Sequence, residues 1–260
     1  MPEGHTIHRA ARDHRRMLAG QVLAVSSPQG RFTDGAARLD GHTCEDVEAY
    51  GKHLVYRFDS GETLHIHLGL FGRIRKRKLP ATDPRGAVRV RMVSDSHVVD
   101  INGPTICELL DDTGLLSLVG RIGPDVLRTD ADPDQAFARV ARSRTPIGRL
   151  IMDQSVMAGI GNIYRTEILW RQRIHPDRPG RAVDRASFDR IWNDAVALLS
   201  IGVRKNAIIT VDGAPASRSR YRERVNIFGK EICPACGGLV RRFEIDNRRA
   251  FVCETCQPPG

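Results

Sequence analysis

Four cysteines, Cys233, Cys236, Cys253 and Cys256, stand as C-x2-C-x16-C-x2-C near the end of a 260-residue chain. Thiolates at that spacing are the ligand set of one structural zinc ion on a β-hairpin, and a pair of disulfides is the weaker alternative. Arg241, Arg242, Arg248 and Arg249 lie between the two cysteine pairs. Metal would therefore hold guanidinium groups outward toward an anionic partner, nucleic acid first among the candidates. A knuckle that only fastens the C-terminal segment to its neighbour is the other reading of the same spacing.

Pro2 and Glu3 offer a different chemistry. Removal of Met1 would expose a secondary amine, and a backbone amine titrates near about 8 against about 10.4 for a lysine, so more of it is neutral and nucleophilic. Proline's ring nitrogen is more basic than that, and burial or nearby cations would have to depress it. Glu3 could give or take a proton beside it. Each has a plain alternative: a Met-Pro start without consequence, and an acid favouring a helix N-terminus. His65 with His67, and His5 with His8, are spaced as metal pairs, but satisfied or exposed imidazoles are the commoner outcome. Cys44 and Cys107 read as small buried hydrophobes. The chain has no phosphate-cradling glycine loop, so no nucleotide cofactor is expected.

The elements that must position these groups fall into two kinds. Ile7, Ala10, Ala11, His14, Met17 and Leu18 recur at helical spacing before Gly20, which predicts an amphipathic helix over residues 5–19. Strands are expected at 21–25, 54–58, 63–68, 88–93 and 97–101, making a β-rich first domain. After Gly123-Pro124 the character changes. Asp132-Pro133 caps and starts a helix, Pro146 begins another through Ile151, and the chain turns at Ala158-Gly159-Ile160-Gly161 before Asn162 caps a helix through Trp170. Asp184 caps a last helix with Phe188, Ile191, Trp192, Ala195, Leu198 and Leu199 on one face. Net charge is +9, and residues 204–249 hold eleven Lys/Arg against five Asp/Glu, which suits a polyanion. With no secretory segment and no apolar run of membrane-spanning length, a cytoplasmic protein without membrane contact is expected, nucleoid-associated if bacterial.

Met1-Pro2-Glu3-Gly4, Lys52 within Tyr50-Gly51-Lys52-His53, the run Met152-Asp153-Gln154-Ser155-Val156-Met157-Ala158-Gly159-Ile160-Gly161-Asn162-Ile163-Tyr164, and the four-cysteine hairpin ending Cys256-Gln257 resemble the formamidopyrimidine-DNA glycosylase / endonuclease VIII family. The four stand in the family's order from end to end of the chain. The resemblance implies an α+β protein: an N-terminal catalytic β-sandwich with a flanking helix over 1–124, a helix-two-turns-helix DNA-binding domain over 125–222, and a zinc finger over 223–260.

It also implies a monomeric base-excision-repair enzyme acting on damaged DNA, both glycosylase and lyase at abasic sites, with one structural zinc on Cys233, Cys236, Cys253 and Cys256. Pro2 would be the nucleophile, Glu3 the proton donor and acceptor, and Lys52 a catalytic phosphate contact. Gly161 and Asn162 match the turn that grips DNA phosphate, and a helix start suits an anion. Arg248, five residues before Cys253, matches the finger's phosphate contact, with Arg249 adjacent as a competitor for that role. Leu70-Phe71, set between glycines, suits the wedge that fills the gap left by an everted nucleotide, or else a strand end entering the core. Arg73, Arg75, Lys76, Arg77 and Lys78 behind it supply phosphate-directed charge.

The wedge segment looks more like endonuclease VIII, which points to oxidised pyrimidines. Departures from the family pattern are His5 where proline is usual, Thr6 where glutamate is usual, Ala250 near a usual threonine, and a short approach from Phe228 to Cys233. A non-catalytic zinc-dependent binder of damaged DNA, and a lyase with little glycosylase activity, are the competing readings.

Overall fold

A computed structural model describes residues 2–214 and 222–259. Residues 215–221, with Arg218 and Arg220 of the basic run, lie outside the described residues. The chain divides into two compact units, residues 1–121 and 122–260.

The first unit is a β-sandwich. One sheet orders its strands β1 (Gln21–Val22), β3 (Thr43–Tyr50), β4 (His53–Phe58), β5 (Thr63–His67) and β9 (Ile106–Leu110); the other orders β2 (Ala24–Ser26), β7 (Val88–Val93), β8 (His97–Asn102) and β6 (Arg73–Lys78). All pairings between these strands are antiparallel. Period-two alternation sends Leu54, Tyr56, Phe58, Leu64 and Ile66 of one sheet, and Val90, Met92, Val99 and Ile101 of the other, into one core. Helix α1 (Gly4–Leu18) adds Ile7, Ala11 and Leu18 to it. Gly20, with φ 77, stops that helix, a conformation glycine adopts without steric cost.

Several elements differ from expectation. Helix α2 (Thr33–Leu39), strands β3, β6 and β9, and helix α3 (Asp112–Arg121) are additional. The stretch expected as one strand over 21–25 is two, because β1 pairs with β3 and β2 crosses to β7 in the other sheet. The basic residues 73–78 form an edge strand, where charge blunts pairing with another chain. Two of them are ion-paired inside the unit, Lys76 with Asp13 and Arg77 with Asp100, and Arg75 donates to the Arg85 carbonyl at 3.4 Å.

The second unit is helical, with a terminal hairpin. Helix α4 (Pro133–Ala141) starts as expected, Asp132 accepting from the Asp134 amide at 2.9 Å. The short α5 (Ile147–Leu150) leads through two turns to α6 (Asn162–Arg171), which is buried almost all round, and α7 (Arg185–Lys205) follows with the Asp184 carboxylate capping Ser187 at 2.7 Å. Phe188, Ile191, Ala195 and Leu199 of α7 close the core on Tyr164 and Ile168 of α6. Strands β10 (Arg241–Ile245) and β11 (Arg248–Val252) make the hairpin. No helix among the described residues is long and apolar enough to cross a membrane.

Candidate active site and DNA-contact residues

In the sandwich, the geometry of α1 decides where Pro2 and Glu3 lie. Gly20 donates to the Cys44 carbonyl at 2.8 Å and Arg15 to Asp46 at 2.5 Å, so the helix's C-terminal end is fixed at the start of β3. The helix packs along β3 and β4, and the buried His14 and Tyr56 share a hydrogen bond of 2.7 Å. At about 1.5 Å per helical residue, the stretch from Arg15 back to Gly4 covers roughly 16 Å. The strand from Asp46 to Tyr50 covers roughly 14 Å. The start of α1 therefore reaches the end of the sheet where β3 turns into β4.

Lys52 occupies that turn. Tyr50 pairs with His53, leaving Gly51-Lys52 as a two-residue hairpin loop whose first position, Gly51, has φ 58. Glu3 is the extended residue preceding α1 and is wholly buried; Pro2 before it is half-buried. His5, the second residue of the helix, is lowered to about 4, by burial first and then by the positive N-terminus, so it is neutral near pH 7. The sequence singles out His5 as a departure from the family pattern and, with His8, as a possible metal pair; among the described residues the two join no cluster of three or more ligands.

Leu70 and Phe71 do not enter the core. They sit at the tip of the connection from β5 to β6 at 56% and 86% exposure. The glycines on either side are sterically required: a Cβ at Gly69 would fall 1.8 Å from Thr105 Oγ1, and one at Gly72 would fall 2.3 Å from the Leu68 carbonyl. Two large apolar side chains are thus held out on a tight, pre-formed loop.

In the second unit the turns before α6 are built by Gln154. Its amide donates to the Met152 and Ile160 carbonyls at 2.8 and 3.1 Å and accepts from Gly159 N–H at 3.0 Å. Gly161, not Asn162, is the N-cap residue, and Asn162 is the first residue of the helix. The expectation that Asn162 caps α6 is corrected by its actual partners: Nδ2 donates to the Arg249 carbonyl at 2.9 Å, and Oδ1 accepts from Arg165. Arg165, fully buried, donates to the same Arg249 carbonyl at 3.2 Å. Asn162 and Arg165 therefore tie the positive end of α6 to the finger strand that carries Arg248. Arg165 was not singled out from the sequence, though its place three residues after Asn162 puts both on one helix face.

The finger hairpin turns at Asp246-Asn247, both left-handed at φ 48 and 58, the type I′ pattern that matches strand twist. Arg248 and Arg249 follow, both exposed, and pair with Ile245 and Glu244 on β10. The four cysteine sulfurs lie within 4.8 Å of one another, with Cys233–Cys256 at 3.8 Å and Cys236–Cys253 at 3.4 Å. Tetrahedral Zn–S bonds of about 2.3 Å place sulfurs about 3.8 Å apart, so the donor set fits zinc, and the separations are far too long for disulfides. Zinc there would supply no reaction chemistry; it would hold the hairpin closed. No other group of three or more His, Cys, Asp or Glu ligands clusters this way among the described residues. Gln257 completes the lower knuckle, accepting from Cys253 N–H at 3.1 Å and donating to the Ile174 carbonyl at 2.8 Å. Cys44 and Cys107 stand apart from this site, with thiols pushed up to about 12 chiefly by burial.

Comparison with known proteins agrees along the whole chain. Residues 1–104 match the formamidopyrimidine-DNA glycosylase N-terminal domain, and residues 122–212 match the formamidopyrimidine-DNA glycosylase H2TH domain. The protein named endonuclease 8 1 of Mycobacterium tuberculosis is 45% identical over 99% of this chain and 100% of its own length. A formamidopyrimidine-DNA glycosylase of Thermomicrobium roseum is 31% identical over 86% of this chain and 84% of its own. In fold, Lactococcus lactis Fpg in complex with DNA containing an abasic site superposes with a TM-score of 0.83, at 22% identity, over 99% of this chain and all of the other. The molecule is thus a DNA glycosylase of DNA repair. Within that class, it belongs to the formamidopyrimidine-DNA glycosylase / endonuclease VIII family.

Proposed function

We propose that the protein is a bifunctional glycosylase and abasic-site lyase in base excision repair, acting on oxidised bases, pyrimidines foremost. What supports this reading is the packing of α1 along β3 and β4, which by its length carries the Pro2-Glu3 end toward the Lys52 turn. Removal of Met1 frees the Pro2 nitrogen. It attacks C1′ of the damaged nucleotide as the bond to the base breaks; the base leaves with a proton, and Glu3 protonates the ring oxygen as the sugar opens. The resulting iminium is an electron sink. Loss of the C2′ proton then expels the 3′ phosphate, and a second elimination expels the 5′ phosphate.

Phosphate contacts fall to Lys52, to the Gly161-Asn162 start of α6, and to Arg248 on the finger, giving register without sequence preference. The damaged nucleotide must leave the stack, and the exposed Leu70-Phe71 tip has the shape and apolarity to take its place. Preference for pyrimidines rests on that tip and on the greater identity to endonuclease 8 1 than to the formamidopyrimidine enzymes.

Borohydride reduction in the presence of a thymine-glycol duplex should fix one covalent adduct on Pro2, located by mass spectrometry. Pro2→Gly should lower strand cleavage to background while duplex binding persists. An adduct on a lysine instead, or full cleavage by the glycine variant, sinks the mechanism. Tight binding with no turnover on any lesion would favour the non-catalytic reading.

A further inference from the structure

The face of the five-stranded sheet turned away from the sandwich core carries histidines that the chemistry above leaves unused. His53 opens β4 directly after Lys52 and pairs with His67 on β5, while His65 pairs with Val55 on the same face. Their side chains form one chain of hydrogen bonds with Glu108 of β9. Glu108 Oε1 lies 2.9 Å from His65 Nδ1, and His65 Nε2 lies 2.8 Å from His53 Nδ1. The His53 ring packs against those of His65 and His67, with centroids 5.1 and 4.8 Å away. His65 is 2% exposed, whereas the Glu108 side chain reaches solvent at 51%.

Proton placement along this chain has one solution. A carboxylate only accepts, so His65 Nδ1 carries a proton and donates. Burial holds His65 below its ordinary value, so the ring is neutral and its Nε2 can only accept. His53 Nδ1 must then be the donor. His53 is itself lowered to about 3, by burial first and then by the neighbouring His65, His67, Arg121 and Lys52. Its ring is therefore neutral, with a lone pair on Nε2. Both rings are held as Nδ1–H, the opposite of the form a neutral imidazole favours in water. The other charged or titratable groups on this face are Asp46, Glu48 and Tyr50 of β3, opposite Arg57, Val55 and His53, with Arg57 itself ion-paired to Asp46, and Arg121 at the end of α3.

We propose that Glu108, His65 and His53 form a positioning relay for the Lys52 turn: the carboxylate orients His65, His65 orients His53, and His53 presents an uncharged acceptor beside the lysine. Between two cations, Lys52 and Arg121, a neutral ring adds no repulsion and gives the turn one preferred arrangement. The inference rests on Lys52 being the phosphate contact argued above.

Glu108 is the residue to change, because its half-exposed side chain leaves the core untouched. Long-range proton–nitrogen spectra of the wild-type imidazoles should show Nδ1–H for both His53 and His65. Glu108→Ala should return His53 to Nε2–H and slow single-turnover cleavage of a preformed abasic-site duplex about tenfold, as supporting-shell losses commonly do. Duplex Kd should change less than twofold, since Lys52 keeps its charge. Glu108→Gln, which keeps an acceptor oxygen, should restore most of the rate. A wild-type His53 protonated at Nε2, a Glu108→Ala enzyme of undiminished rate, or a Glu108→Gln enzyme as slow as the alanine variant overturns the relay. Failure of the wild type to form an adduct at Pro2 would strike the functional reading alone, because the tautomers are read without turnover.

Discussion

In the sandwich the Lys52 turn is fixed by backbone pairing on both of its sides and by a core that closes beneath β4, whereas in the finger Arg248 is fixed by two left-handed turn residues and four sulfurs. The difference is one of burial. The finger's own apolar contribution is small, Phe251 and the cysteines meeting Trp170 and Ile227, and the rest of its hairpin is largely polar. A segment that buries so little cannot offset its ordering entropy, and a metal ion on the four sulfurs would close the gap. The same enzyme thus holds one set of residues by hydrophobic burial, while the other is built on a donor set that suits coordination chemistry.

The largest test of that contrast is removal of the metal. Structural zinc in isolated fingers contributes about 10–16 kcal/mol near pH 7. Stripping it with a tight chelator should therefore open β10 and β11 to hydrogen exchange and abolish duplex binding. Amides of β4, β5 and β8 should stay protected; loss of protection there would show that the sandwich leans on the metal too.

A smaller effect should come from acid, and it should run the other way. His14 and His53 are lowered to about 3 and His5 to about 4, each chiefly by burial, from an ordinary value near 6.5. Such groups add stability above the unfolded value of about 6.5. That stability is lost as pH falls toward the folded values, because the unfolded chain takes up protons that the folded one excludes. Eight of the nine histidines belong to the sandwich. Protection against hydrogen exchange, corrected for the intrinsic rate and read at zinc saturation, should fall in β4 and β5 between pH 7.5 and 5.5 well before it does in α7. Equal protection at both pH values would break the comparison.

Smallest is the Phe71 tip, which touches little of its own unit. Phe71→Ala should leave thermal stability unchanged and slow excision of an intact damaged base about tenfold, roughly 1.4 kcal/mol, with under twofold effect on preformed abasic sites. Equal losses on both substrates would assign Phe71 to general DNA binding.

How much of this was legible in the chain depends on how local the signal is. The cysteine spacing, the Asp132 and Asp184 caps and the apolar face of α7 were readable because each lies within a few helical turns or one hairpin. Strand β3 was not: only Cys44, Val47 and Ala49 point inward, and the bulge between Cys44 and Asp46 breaks their alternation. Strand β6 hides behind its charges, with Ile74 its one apolar residue. Helix α3 buries only Leu118 and leaves Leu116 exposed, so its periodicity is faint. At the site, Asn162 was found by motif but given the wrong partner, since its bonds reach a residue 87 positions away. The Glu108–His65–His53 chain needs the register of three strands, which no spacing in the sequence discloses.

Glu167, sealed within α6, accepts five hydrogen bonds of 2.5 to 2.9 Å from Thr210, Asn226, Ile227 and Phe228. Thr210 N–H also donates to the Arg224 carbonyl at 2.8 Å. One carboxylate therefore cinches shut the base of the whole excursion between Thr210 and Arg224, like a drawstring. Lengthening a loop whose ends are already joined costs only about 0.6 kcal/mol for each doubling. The socket formed by Glu167 with Thr210 and residues 226–228 therefore stands on its own bonds, whatever length of chain runs between Thr210 and Arg224.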